Sequence, residues 1–138
     1  ALPALQNSQK DTARKQDVAR IVSALQGYMA DNQGNSPTAG AWYKTDGSTT
    51  SGFSGYIGKL SQVTIVGVWS DAVGFSAAQT RFNDAKNGIY YNNVPYDGVV
   101  IGHTCSDLGT SGTSGSSSST DAAVWSILSN GTAYCVNM

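Results

Sequence analysis

Glycine, serine and threonine are scarce in the first 31 residues and abundant in the rest of the chain. Up to Asp31 there are one Gly, two Ser and one Thr, whereas the other 107 residues hold 42 of the 46. That break confines any long helix to the N terminus and leaves the remainder to short strands, turns and solvated loops. Within the first segment Val18, Ile21, Val22, Leu25, Tyr28 and Met29 recur at spacings of three and four, which lines one stripe of a helix. Its heptad-like subset, Val18, Val22, Leu25 and Met29, is expected to lie against a sheet. Before Val18 the residues from Gln6 to Thr12 are polar on every side, so that half of the helix has nothing of its own to bury. Asp11 with Lys15, and Asp17 with Arg20, are spaced to support an exposed rod by a few tenths of a kcal/mol each. The run Asp31-Asn32-Gln33-Gly34-Asn35-Ser36-Pro37 ends it with turn formers and a proline. The expected helix spans residues 1–31, with Pro3 tolerable near its start.

Residues 32–62 read as a loop from helix to sheet, in which Trp42, Tyr43, Phe53 and Tyr56 pin the chain to the core and Gly52, Gly55 and Gly58 are loop glycines. Strands are expected at Val63–Trp69, Gly88–Asn92 and Gly98–Thr104, and a short helix at Ser76–Lys86. A closing hairpin, Ala123–Leu128 and Ala133–Val136, turns at Asn130-Gly131, a pair that favours a tight type I′ turn. The Gly/Ser/Thr-rich insert at 107–121 cannot pack and is expected to be mobile and at the surface. Residues 1–138 thus form one α+β domain: a helix over 1–31 packed on an antiparallel sheet of about four strands within 63–138.

Only 12% of residues are charged, all nine acidic residues are Asp, and the formal charge is −1. A chain so nearly neutral has no overall field to attract nucleic acid or an anionic membrane. Its longest apolar run, Val63–Trp69, falls far short of the roughly 20 residues that cross a bilayer. The chain starts at Ala1, which suggests a processed or trimmed product. Two cysteines and the single His103 are too few ligands for zinc, so a Cys105–Cys135 disulfide in an exported protein is the reading. The bond would close the insert at its base. His103 reads as a strand-end residue. Neither Gly109-Thr110-Ser111-Gly112 nor Gly112-Thr113-Ser114-Gly115 matches a nucleophile elbow, and Asp84-Ala85-Lys86-Asn87-Gly88 lacks the alternation of a calcium loop. No enzyme activity and no cofactor are expected.

Three stretches together resemble type IV pilins. Ala1-Leu2-Pro3-Ala4-Leu5 is similar to the end of the pilin apolar segment, where a proline kinks the helix. Lys10-Asp11-Thr12-Ala13-Arg14-Lys15-Gln16-Asp17-Val18, running to Leu25-Gln26-Gly27-Tyr28-Met29-Ala30-Asp31-Asn32 and Pro37, resembles the charged pilin helix and its exit. Val99-Val100-Ile101-Gly102-His103-Thr104-Cys105, with Val124-Trp125-Ser126-Ile127-Leu128 and Tyr134-Cys135-Val136, resembles the closing strands of pilins from Gram-positive-type and small host-associated bacteria. The resemblance implies a pilus subunit at the cell surface that polymerises with itself, serving adhesion, twitching motility and contact with a host-cell or surface receptor. It also implies an apolar helix upstream of Ala1 that anchors the precursor in the cytoplasmic membrane before the pilus machinery extracts it. Leu2, Pro3, Leu5, Lys10 and Arg14 would then meet neighbouring subunits. A pseudopilin of a secretion or DNA-uptake system is the alternative within the same fold, and there Asp97, Asp107 and Asp121 are a candidate calcium set against their reading as turn residues. A carbohydrate-binding adhesin, stacking sugars on Trp42, Tyr43, Phe53 and Tyr56, is the alternative outside it.

Overall fold

The apolar stripe of the first segment does form a helix: α1 runs Leu2–Asp31 in the computed structural model of the chain, which describes all residues except 1, 71–74, 90–93, 107–121 and 130. Pro3 falls in the first turn, where its missing N–H costs nothing. Val18, Ile21, Leu25 and Met29 are buried, with Ala24 beside them, while Val22 is half-buried on the flank of the seam. The inward subset is therefore centred on Ile21 rather than Val22: at 100° per residue the buried arc runs from Ala24 to Met29, with Ile21 near its middle and Val22 just beyond its edge. The helix ends where Gly34 N–H reaches back to the Met29 carbonyl at 2.7 Å, with Gln33 in the left-handed region at φ 60°. This is the six-to-one closure of a helix C terminus.

The segment expected to be a loop carries two elements, β1 (Trp42–Lys44) and α2 (Gly52–Ile57), so Gly52 and Gly55 are helical and Gly58 follows at φ 74°. Then come β2 (Ile65–Ser70), α3 (Phe75–Lys86), β3 (Asp97–Ile101), β4 (Ala122–Ile127) and β5 (Ala133–Asn137). The sheet has five strands in the order β1-β2-β3-β4-β5, and it is mixed. β1/β2, β3/β4 and β4/β5 are antiparallel, whereas β2 and β3 run parallel, Val66 opposite Asp97 and Ser70 opposite Ile101. Parallel neighbours cannot be joined by a tight turn, and α3 supplies the crossover. Of the expected strand at 88–92, Gly88 and Ile89 instead close the end of α3 on the Ala85 and Asp84 carbonyls, and residues 90–92 lie outside the described residues.

Helices cover both faces of this sheet. On one side Val66, Val68, Val99, Ile101, Ala122 and Val124 meet the α1 seam together with Phe53 and Ile57 of α2. On the other, Trp69, Val100, Ala123, Trp125 and Ile127 meet Ala78, Phe82 and Ala85 of α3. Every residue of β3 and β4 is consequently buried, which explains why their sequences read as unbroken apolar runs. The α3 face is built from indoles over glycines. Gly67 and Gly98 are register partners, and a Cβ on Gly98 would stand 2.3 Å from the Trp125 ring and one on Gly67 2.6 Å from that of Trp69. Trp69, Trp125, Tyr96, Trp42 and Phe82 then pack on one another, mostly edge to face.

The closing hairpin forms, with a different turn. Gly131 N–H donates to the Leu128 carbonyl and Leu128 N–H to that of Thr132, with Gly131 at φ 82°. That pattern is a three-residue loop with a left-handed glycine bulge rather than a two-residue type I′ turn. Cys105 and Cys135 are bonded, their Cα atoms 5.9 Å apart, tying the chain just beyond β3 to the middle of β5. The insert at 107–121 lies outside the described residues.

Candidate functional site

The first half of α1 stands apart from the rest of the molecule. Residues Ala4–Lys10 are exposed, Leu5 at 55%, and Val18 is the first apolar residue of the helix to be buried. The side chains of Leu2 and Pro3 lie outside the described residues. Between these two stretches, four charged residues at intervals of three tie the helix to its own chain. Asp11 accepts the N–H and the hydroxyl of Ser129 at 2.8 and 3.0 Å. Arg14 donates to the Ile127 carbonyl at 2.6 Å. Asp17 accepts from Ser61 N–H, Ser61 Oγ and Gln62 N–H between 2.9 and 3.2 Å, and Arg20 donates to the Ile57 carbonyl at 2.7 Å. A step of three residues turns each group 60° short of a full turn, so the series winds from the β4–β5 hairpin across to α2. The intrahelical ion pairs expected on an exposed rod are replaced by these cross-links. Lys10, by contrast, is exposed, and Lys15 lies over the Tyr134 ring at 5.3 Å from its centroid.

Beneath the cross-linked stretch sits Asp97, the first residue of β3. It is 1% exposed, and neither carboxyl oxygen has a well-formed hydrogen bond, the Ser126 hydroxyl across the β3–β4 pair giving at most a weak one. Burial pushes its pKa up to about 7, with the Asp17 charge adding to the rise and the Ser126 hydroxyl and Arg14 opposing it. Asp97 is thus a strand residue rather than a turn residue; Asp107 and Asp121, the other members of the candidate calcium set, lie outside the described residues. Among the described residues no three of His, Cys, Asp and Glu converge as metal ligands. The sign of the pH effect follows from the raised value. The unfolded chain loses this proton near pH 4 and the folded chain near pH 7, so the folded state holds the extra proton in between. Stability is expected to fall as pH rises through that interval and to level off above it, which urea unfolding at pH 5, 6, 7 and 8 measures. Asp11 works the other way. The Ser129 amide holds its carboxyl below the usual range, a contribution present above about pH 4 and lost in acid.

The four aromatic residues proposed as a stacking platform are divided between the two faces of the sheet, Trp42 on one and Tyr43, Phe53 and Tyr56 around Tyr28 on the other. Trp42 faces α3, edge-on to Trp69 and Tyr96, with Arg81 5.5 Å from its ring centroid. Tyr43, its neighbour along β1, points to the opposite face and packs edge-on against Phe53, itself 1% exposed. Tyr56, 41% exposed, packs edge-on to Tyr28 and donates its hydroxyl to Asp31. A flat sugar-binding surface needs a ring face open to solvent, and here most faces are spent on other rings. His103 is fully buried just beyond β3.

Comparison with protein-family models, with curated proteins and with solved structures returns no match to this chain. Sequence reasoning places Asp11, Arg14, Asp17 and Arg20 on the helix and pairs Asp11 with Lys15 and Asp17 with Arg20, whereas their partners are backbone groups and two serine hydroxyls far along the chain. The signal for Asp97 was present: one acidic residue heading the apolar run Asp97-Gly98-Val99-Val100-Ile101.

Proposed function

We propose that this chain is the globular domain of a type IV pilin, a structural subunit and not an enzyme, exported and assembled with copies of itself into a cell-surface filament for adhesion and twitching motility. The observation that carries the reading is the division of α1 into two halves. The second half is the apolar wall of the domain; the first is a polar helical extension whose Ala4–Lys10 stretch touches little of its own chain. A lone polar helix of this length is marginal in water and gains from lying among other helices. Leu5, Lys10 and the first turn holding Leu2 and Pro3 are the residues assigned to subunit contacts. Arg14 is given a second duty, because its guanidinium already anchors the hairpin. The disulfide accords with an exported protein. The crossover helix α3 makes the sheet mixed, and in this reading it is an elaboration of the pilin head.

Reading the codons upstream of Ala1 tests the proposal. A short basic leader, a cleavage site and an unbroken apolar stretch with an early Glu are expected; an ordinary secretion signal ending at Ala1 would overturn it. A second test acts on the chain itself. Leu5→Asp is expected to leave the thermal midpoint within about 1 °C of the parent, since Leu5 is exposed. Filaments labelled by an antibody to this chain are expected to disappear from electron micrographs of cells carrying the variant. Unchanged filaments would remove Leu5 from the contact, and labelled stubs in the parent strain would favour the short piston of a pseudopilin.

A further inference from the structure

A buried carboxyl group without a well-formed hydrogen bond is an uncommon use of an acidic residue, and its surroundings show what it does. From α1, Arg14 and Asp17 face Asp97. From β4 comes Ser126; from β2 its register partner Val66, which is apolar; from β5, on the same face of the sheet, the Tyr134 ring with Lys15 above it. Arg14, the cation among the groups facing Asp97, gives Nη1 to the Ile127 carbonyl, and both oxygens of Asp17 are taken by Ser61 and Gln62. A negative charge at Asp97 would therefore sit in the core beside a second carboxylate, with the nearest cation engaged elsewhere. A neutral carboxylic acid suits the same place.

What covers Asp97 is also the least anchored part of the interface. No apolar residue of α1 between Ala4 and Gln16 is buried. That stretch is held to the body by the Asp11 and Arg14 links, with Asp17 at its boundary. Segments held by a few solvent-accessible hydrogen bonds open at a small fraction of the global free energy.

We infer that Asp97 is a proton-operated latch on α1: with the carboxyl protonated residues 10–17 lie docked on the sheet, and with it ionised they lift, admitting water to the charge while Val18 to Met29 stay packed. The carboxyl releases its proton to solvent, and Arg14 leaves the Ile127 carbonyl as the helix rises. The burial-raised pKa of about 7 puts the change within the range a cell surface meets. This latch goes beyond the filament reading and does not depend on it.

Hydrogen exchange on the full disulfide-bonded chain, corrected for intrinsic rates, tests the latch together with a carbon-13 titration of the Asp97 carboxyl. At pH 5.5 amides 11–17 are expected to be protected at least tenfold. At pH 8.5 the undocked stretch, a lone polar helix that is marginal in water and unwinds, is expected to exchange near the rate of unstructured peptide, while amides 21–29 stay at least a hundredfold slower. The midpoint of the loss should coincide with the carboxyl titration, and Asp97→Asn should retain protection at both pH values. Titration of Asp97 in the ordinary carboxylate range, protection of 11–17 independent of pH, or the same loss in Asp97→Asn would each overturn the latch. If the Asn variant does not fold, coincidence of the two midpoints in the parent chain decides the matter.

Discussion

Gly98→Ala is expected to cost about 3 kcal/mol of stability, the upper part of the range for overpacking a core. The added methyl would stand 2.3 to 2.4 Å from Cε2, Cζ2 and Nε1 of Trp125. That indole cannot retreat: it is fully buried, with Phe82 and Tyr96 edge-on to it and Trp69 stacked beside it. The atoms in the way are those that Phe lacks, so Trp125→Phe is expected to make room. Combining the two substitutions should recover roughly 1 to 2 kcal/mol of what their separate effects would lose, a coupling that urea denaturation of the four chains measures. Additive losses would mean that the Trp125 ring is not what excludes a side chain at position 98.

Breaking the disulfide is the second large perturbation. Cys105 and Cys135 are 30 residues apart, and releasing a loop of that size restores denatured-chain entropy worth roughly 3 to 4 kcal/mol. A Cys105→Ser, Cys135→Ser chain is expected to lose that much. The loss should be local before it is global. β5 is an edge strand paired only with β4 in the sheet, so β5 and the hairpin are expected to loosen while α1 remains helical. Far-ultraviolet circular dichroism that keeps its helical signal while β5 amides lose exchange protection would agree. Equal loosening of amides 21–29 would show that the bond supports the whole fold and not one edge.

How much of this was legible beforehand depended on whether a residue's partner was near it in the chain. The stripe from Val18 to Met29, the stop after Asp31, the helix ending at Lys86 and the last hairpin all follow from local periodicity and turn chemistry, and all are present. The parallel pairing of β2 with β3 was not legible, because an apolar run such as Ile65-Val66-Gly67-Val68-Trp69 has the same appearance in a parallel or an antiparallel sheet. Recognising α3 as a crossover was the missing step, and it converts a sheet with one open face into one covered on both. β1 was hidden for another reason. It is three residues long in a Gly- and Ser-rich stretch, and its identity comes from pairing with β2 and from the rings of Trp42 and Tyr43 on opposite faces. The charged residues of α1 were visible as types, but their roles depend on carbonyls and amides at positions 57–62 and 127–129, which no local pattern predicts. Asp97 was visible as an anomaly, and only the helix above it gives that anomaly a meaning.

The crossover also sets a timetable. β4 and β5 can close as a hairpin within microseconds of being made, whereas β3 keeps one open edge until β4 arrives, and the seam of α1 is covered in stages, first from α2 and β2 and last from β3 and β4. The helix is synthesised first, yet Val99 and Val124, which cover it, follow about 70 to 100 residues later, an interval of roughly 4 to 20 seconds at ordinary rates of synthesis. Through that interval Val18, Ile21, Leu25 and Met29 have at most α2 and β2 to cover them. A chain made in this order has its apolar helix ready well before the last strands that hide it, so whatever receives it during synthesis has to shelter the helix until they arrive.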